Sequence, residues 1–235
     1  MRLHHANPID RSFLSLAAPF LFPFGVTLLG CAVMMLAYDK AQLHLLINAA
    51  NSPVADGFFA WLTWMGDGWT ATVVAIGLLF IRYRSSIVVA SGNIAAGLVV
   101  QILKRSFFND WVRPLEYFRS VHALHLVPGL SIYSYHSFPS GHAATAFATC
   151  FCLALYTPTR LGRALLFIAA ALIAFSRVYL SQHFLGDVVA GAIIGTAVAG
   201  ASFLVMERLP ALKSKETLEG SLLARLHEPR DGVGH

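Results

Sequence analysis

Charge is what this 235-residue chain has least of: 12% of its residues are Asp, Glu, Lys or Arg, against 57% hydrophobic ones. That balance excludes a soluble domain of ordinary composition and a disordered chain, both of which need many more polar residues to remain in water. Cysteine is nearly absent too. Cys31, Cys150 and Cys152 all lie in apolar runs, and the last pair, two positions apart, points to different faces of a helix. No disulfide framework or zinc site can be read from them. The net charge of +5 is dispersed between apolar runs instead of gathered in a stripe, which argues against nucleic acid as a partner. What is present is a series of charge-free stretches: Leu14 to Tyr38, Ser85 to Leu103, Ala143 to Tyr156, Ala164 to Phe175 and Val188 to Met206. Apolar stretches of about 18 residues or more read as bilayer-spanning helices.

The fold class that follows is all-α: a polytopic membrane protein with a six-transmembrane-helix bundle. The helices fall at about 14–38, 67–82, 86–104, 140–157, 162–180 and 184–206. Before the second, Val54 to Met65 reads as an interfacial helix with Trp61 and Trp64 at headgroup depth, and Asp67 as a cap. Arg2 and Arg11 precede an apolar run longer than a signal-peptide core and followed by further spans, so the first helix is read as uncleaved. With the N-terminus inside, 11 Lys and Arg fall on the inner side and 6 on the outer, which places both termini in the cytoplasm. One membrane-embedded domain then occupies residues 1–206, followed by a polar cytoplasmic tail, 207–235. Leu218, Leu222 and Leu226 in that tail are four apart, which fits a short surface helix; disorder fits equally.

Three polar clusters interrupt this apolar chain, and on the six-helix reading all three fall at the outer rim. His183 and Asp187 are four apart, a spacing that puts a carboxylate one helical turn from an imidazole and frees Nε2 to attack a substrate. Arg177 stands close by in sequence, and ionisable groups inside a membrane protein mark function by default. Pro139-Ser140-Gly141-His142 opens a helix: Ser140 is a good N-cap, Gly141 lets a bound group approach the backbone, and the helix start attracts an anion. His142 in the first turn is then suited to giving a proton to a leaving oxygen. Lys104, Arg113 and Arg177 can surround a phosphoryl group, the arginines as planar forks and the lysine as a point charge. Snorkelling to headgroups is the rival reading for Lys104 and its neighbour Arg105.

In order and spacing, Lys104 through Arg113-Pro114, then Pro139-Ser140-Gly141-His142, then Ser176-Arg177 with His183 and Asp187, closely resemble the three-part motif of the type 2 phosphatidic acid phosphatases (PAP2), which share their site with vanadium haloperoxidases. The resemblance covers roughly residues 66–206. The second and third parts match residue for residue; in the first, eight residues separate Lys104 from Arg113, or seven from Arg105, where the family usually has six. Which of the two cations meets phosphate stays open. The resemblance implies a lipid phosphate phosphatase in which His183 is the nucleophile and forms a phosphohistidine. Asp187 orients it, and His142 protonates the leaving group and then activates water. Lys104, Arg113, Ser140, Gly141 and Arg177 hold the phosphoryl oxygens. It implies no cofactor and no metal, three cations supplying the charge neutralisation that Mg²⁺ gives elsewhere.

The implied partners are the bilayer and a membrane lipid phosphate: undecaprenyl pyrophosphate, phosphatidylglycerol phosphate, phosphatidic acid or lipid A. The implied location is the inner membrane, with the site facing away from the cytoplasm. A phosphotransferase using the same intermediate is the nearest rival. A lipid-phosphate transporter or binder is a second, against which two imidazoles and a carboxylate argue. His122, His125 and His136 are too irregularly spaced to be convincing metal ligands. The aromatic residues between Phe107 and Phe138 read as an interfacial belt.

Overall fold

The computed structural model describes residues 13–120, 124–208 and 216–227. Arg2, Arg11 and His122, and with them Lys213, Lys215 and Arg230 among the inner-side cations, lie outside the described residues. The described elements are helical: α1 (Phe13–Ala37), α2 (Lys40–Ala49), α3 (Pro53–Leu62), α4 (Gly68–Leu79), α5 (Tyr83–Ser106), α6 (Pro114–Tyr117), α7 (Gly141–Tyr156), α8 (Arg160–Tyr179), α9 (Leu185–Arg208) and α10 (Leu222–His227), with 3₁₀ turns at Thr63–Gly66 and Glu216–Glu219. Each of the six expected apolar stretches is helical. Four of these helices, α1, α5, α8 and α9, are long and apolar enough to cross a membrane; α4 and α7 are shorter.

The packing explains why the shorter α7 sits in the middle. It is apolar nearly all round and rich in alanine, as a helix enclosed by neighbours must be, and it touches α5, α8 and α9. Two glycines of α9 set the closest approach. A Cβ added at Gly191 would fall 2.3 Å from the Ser140 carbonyl oxygen, and one at Gly195 2.2 Å from that of Ala144. Small residues four apart are the means by which membrane helices bring backbones together. On its other side α7 meets an aromatic cluster in which Phe20 and Phe24 of α1 pack against Phe147, Phe151 and Phe167, with centroids 5.0 to 6.3 Å apart.

At the far end from the polar clusters, buried Arg84 donates to Glu219 (2.5 Å) and lies 3.6 Å from Glu207, while the Tyr83 amide donates to the Gly220 carbonyl at 3.0 Å. The segment from Glu216 is therefore folded back onto the start of α5. Leu222–His227 is helical, one of the two readings open from its leucine spacing. The interfacial stretch is also helical, and Trp61 and Trp64 are well exposed.

The spacing of apolar residues gave no hint of α2. Its start is a capping box: the Asp39 carboxylate accepts from the Gln42 amide at 2.9 Å while the Gln42 side chain accepts from the Asp39 amide. Asp39-x-x-Gln42 is the signal that could have found it.

Candidate active site

Antiparallel packing brings the end of α5, the start of α7, the end of α8 and the start of α9 to one rim. The Ser140 amide donates to the Asp187 carbonyl at 2.9 Å, a direct backbone link between the second and third polar clusters. Lys104 stands in the last turn of α5. Arg113 precedes α6, and Arg177 closes α8. The five side chains Lys104, Arg113, His142, Arg177 and His183 act on one another electrostatically: His142 feels Arg177, His183, Arg113 and Lys104.

His183 lies just before α9, which begins at Leu185, one residue from the start expected for it. The chain turns sharply there. The amides of Gln182 and His183 both donate to the Arg177 carbonyl, at 2.9 and 3.1 Å, and Ser181 adopts φ = 54°. That left-handed backbone is held from α2, where His44 Nε2 and Asn48 Nδ2 each lie 3.1 Å from the Ser181 hydroxyl. The imidazole–carboxylate pair nevertheless meets, His183 Nδ1 lying 3.4 Å from Asp187 Oδ2, but Nδ1 has no aligned hydrogen-bond partner. The same Oδ2 accepts from the Ser137 hydroxyl at 2.5 Å and the Phe184 amide at 3.0 Å, and these bonds fix the carboxylate. Burial, then the positive charges of Arg113, Arg177 and Lys104, hold the His183 imidazole well below its ordinary 6.5. Its ring is neutral and unprotonated on one nitrogen at neutral pH, as a nucleophile requires.

The cations are locked by polar partners that are not carboxylates. Arg113 donates from Nε to the Tyr135 carbonyl (3.0 Å) and from one terminal nitrogen to the Gln182 carbonyl (3.1 Å). Arg177 donates to Thr63 Oγ1 (2.7 Å) and Gln182 Oε1 (3.3 Å), and its buried Nε has no partner. Both guanidiniums thus keep their full positive charge for an anion. Between the two candidates of the first cluster, Lys104 is half-buried and in electrostatic reach of Arg113, Asp187 and Arg177, whereas Arg105 is exposed.

Ser140 caps α7, its hydroxyl accepting from the Ala143 amide at 3.4 Å. Gly141 is followed by open space, since a Cβ there would meet only Val100, at 3.8 Å. His142 has a neighbour that the motif does not contain: its Nε2 lies 3.3 Å from Asp67 Oδ1. Asp67 precedes α4, but its side chain makes no capping bond, so the cap expected of it is absent. Gln182, Ser137 and Thr63 carry no signal in sequence beyond being polar in an apolar chain. A cavity of about 550 Å³ lies beside the rim, lined by Leu43, His44, Trp111, Phe184 and Asp187 among others, and none of the three cations lines it.

Comparison with known proteins decides what family builds this rim. The PAP2 superfamily matches residues 85–210, more than half of the chain. The chain belongs to the PAP2 superfamily. A lipid A 4'-phosphatase from Porphyromonas gingivalis is 26% identical over 174 residues, 68% of this chain and 69% of that protein. Among solved structures, LpxE from Aquifex aeolicus is 30% identical with a TM-score of 0.61, covering 68% of this chain and 92% of its own. The transmembrane PAP2-type phosphatidylglycerolphosphate phosphatase from Bacillus subtilis shares the fold, with a TM-score of 0.57 at 20% identity over 80% of this chain and 94% of its own. With its apolar helices and this family membership, the protein is a multi-pass membrane phosphatase, a hydrolase of phosphoric esters.

Proposed function

We propose that this PAP2 protein hydrolyses a phosphomonoester or a pyrophosphate on a membrane lipid, through a phosphohistidine at His183. The observation that carries this reading is geometric: His183, 3.4 Å from the Asp187 carboxylate, stands at a rim it shares with Lys104, Arg113 and Arg177. Three cations neutralise a phosphoryl group as charge builds on it, and loss of one such contact costs about 10²- to 10³-fold in rate. Asp187 stabilises the ring once it carries phosphate. His142 gives its proton to the leaving oxygen and then takes one from water, so that free phosphate leaves together with a lipid alcohol from a phosphomonoester or a lipid monophosphate from a pyrophosphate. Ser140 offers its hydroxyl, its amide being engaged by Asp187; Gly141 leaves the approach open.

On this reading the single membrane domain crosses the inner membrane six times with both termini and the tail from residue 207 in the cytoplasm, and the rim faces the periplasm. Lipid A is the first substrate to try, because the Porphyromonas gingivalis relative carries that activity in its name. Undecaprenyl pyrophosphate, phosphatidylglycerol phosphate and phosphatidic acid are the alternatives. The test is phosphate release from these four lipids by the purified protein in detergent. Release from one or more of them supports the reading. Tight binding of all four with no release would leave a binder, and label moving to a second lipid in place of water would make it a phosphotransferase.

A further inference from the structure

We infer that Asp67 is a positioning residue for His142, so that the site contains a second imidazole–carboxylate pair outside the three-part motif. The turn Thr63–Gly66, which joins α3 to α4, packs against both α7 and α8. It reaches the rim twice: Thr63 accepts from Arg177 at 2.7 Å, and Asp67 Oδ1 faces His142 Nε2 at 3.3 Å. The approach is tight, since a Cβ at Gly66 would lie 3.3 Å from the Cβ of His142 and 3.0 Å from Ile173. Asp67 is thus carried on a corner wedged under the imidazole and not on a loose surface loop. Asp67 makes no capping bond to α4, and its carboxylate is turned to the rim, 3.3 Å from His142 and in electrostatic reach of Arg177.

An imidazole has two nitrogens, and the tautomer is set by the partner of one of them. With Nε2–H directed at Asp67, the neutral ring leaves Nδ1 as an acceptor, and the protonated ring presents Nδ1–H to a leaving oxygen. The same carboxylate stabilises the imidazolium against Arg177 of α8, Lys104 of α5, and Arg113 and His183 of the connecting segments, all of which act on the ring. The four neighbours that act on the His142 ring are basic, and the carboxylate within 4 Å of it among the described residues is that of Asp67, so removing it removes the nearest counter-charge.

The role rests on the acid–base function proposed for His142, and the test has two readouts so that the two ideas can fail separately. The first is ¹⁵N NMR of the ring in the full chain in detergent. The expected signature is an Nε2-protonated neutral tautomer for His142 that is lost or mixed in Asp67→Asn; an unchanged tautomer overturns the positioning role whatever the activity. The second uses dioctanoyl phosphatidic acid as the phosphomonoester. Asp67→Asn should lower kcat by about 10- to 10²-fold, within the span of general acid–base catalysis. It should move the alkaline limb of the kcat profile to lower pH by about one unit, and Asp67→Glu should recover part of the loss. In a His142→Ala background the same substitution should cost almost nothing, since a residue that acts through another shows full coupling to it. A loss that is equal in both backgrounds, with a pH profile that merely scales down, would assign Asp67 a structural role and overturn the inference.

Discussion

Gly191→Ala tests the idea that helix spacing sets the chemistry. The new Cβ would lie 2.3 Å from the Ser140 carbonyl oxygen and 3.1 Å from the Ala143 side chain, whereas ordinary contact begins near 3.4 Å. The oxygen cannot swing aside, because it accepts the Ala144 amide at 3.1 Å in the first turn of α7, while the Ser140 amide is tied to Asp187 at 2.9 Å. The start of α9 must therefore move by about 1 Å relative to α7. Asp187 travels with α9, while His183 is held to the end of α8 through the Arg177 carbonyl, and Ser140 and His142 stay with α7. A misplacement of that size costs about 10²-fold in rate, and the crowding costs about 1–3 kcal/mol of stability. Phosphate release from micellar phosphatidic acid, alongside thermal melting in detergent, reads both. Gly30→Ala in α1, where nothing lies within 4 Å of the new methyl, serves as the control with unchanged kcat. A folded Gly191→Ala protein with the wild-type kcat would refute the reasoning.

Other predictions follow from the same rim. Lys104→Ala should lower kcat/KM by about 10²-fold and Arg105→Ala only slightly; steady-state kinetics that show the larger loss at Arg105 would reverse the assignment of the first cluster. Burial pushes His44 down to about 4, against the pull of Asp187, and His183 is also held below its ordinary 6.5. Both are neutral in the folded protein and take up a proton when unfolded, so they stabilise the fold above pH 6.5, and that stability is lost as pH falls from 6.5 toward 4. The melting temperature should fall over that window and fall less steeply in His44→Gln. Orthovanadate should inhibit phosphate release and EDTA should leave it intact; activity lost in chelator and restored by a divalent ion would point to a metalloenzyme.

The residues that bear chemistry were legible because such groups are costly in an apolar chain: Arg177, His183 and Asp187 have no role in a span that leucine would not fill better. The helix start at Ser140 was legible for a similar reason, since a proline, a capping hydroxyl and a glycine in succession carry a local signal that packing does not have to supply. What holds these residues was not. Ser137, Thr63 and Gln182 act through contacts with residues 50, 114 and 5 positions away, so no spacing rule points to them. The start of α9 was legible to within a residue, but the i, i+4 spacing of His183 and Asp187 says nothing of the left-handed turn at Ser181 that sets His183 just before the helix. The helix α2 was hidden because its apolar pattern is weak and its capping box was passed over. At Asp67 the sequence suggests a helix cap, the commonest use of an aspartate at that position, whereas the side chain makes no capping bond and faces His142.

The account stands most directly on a covalent intermediate at His183. Rapid denaturing quench of the protein turning over ³²P-labelled phosphatidic acid, followed by mass spectrometry of the peptides, should locate an acid-labile phosphate on His183, absent from His183→Ala together with all phosphate release. Phosphate found on another side chain, or a His183→Ala protein that still turns over, would contradict it.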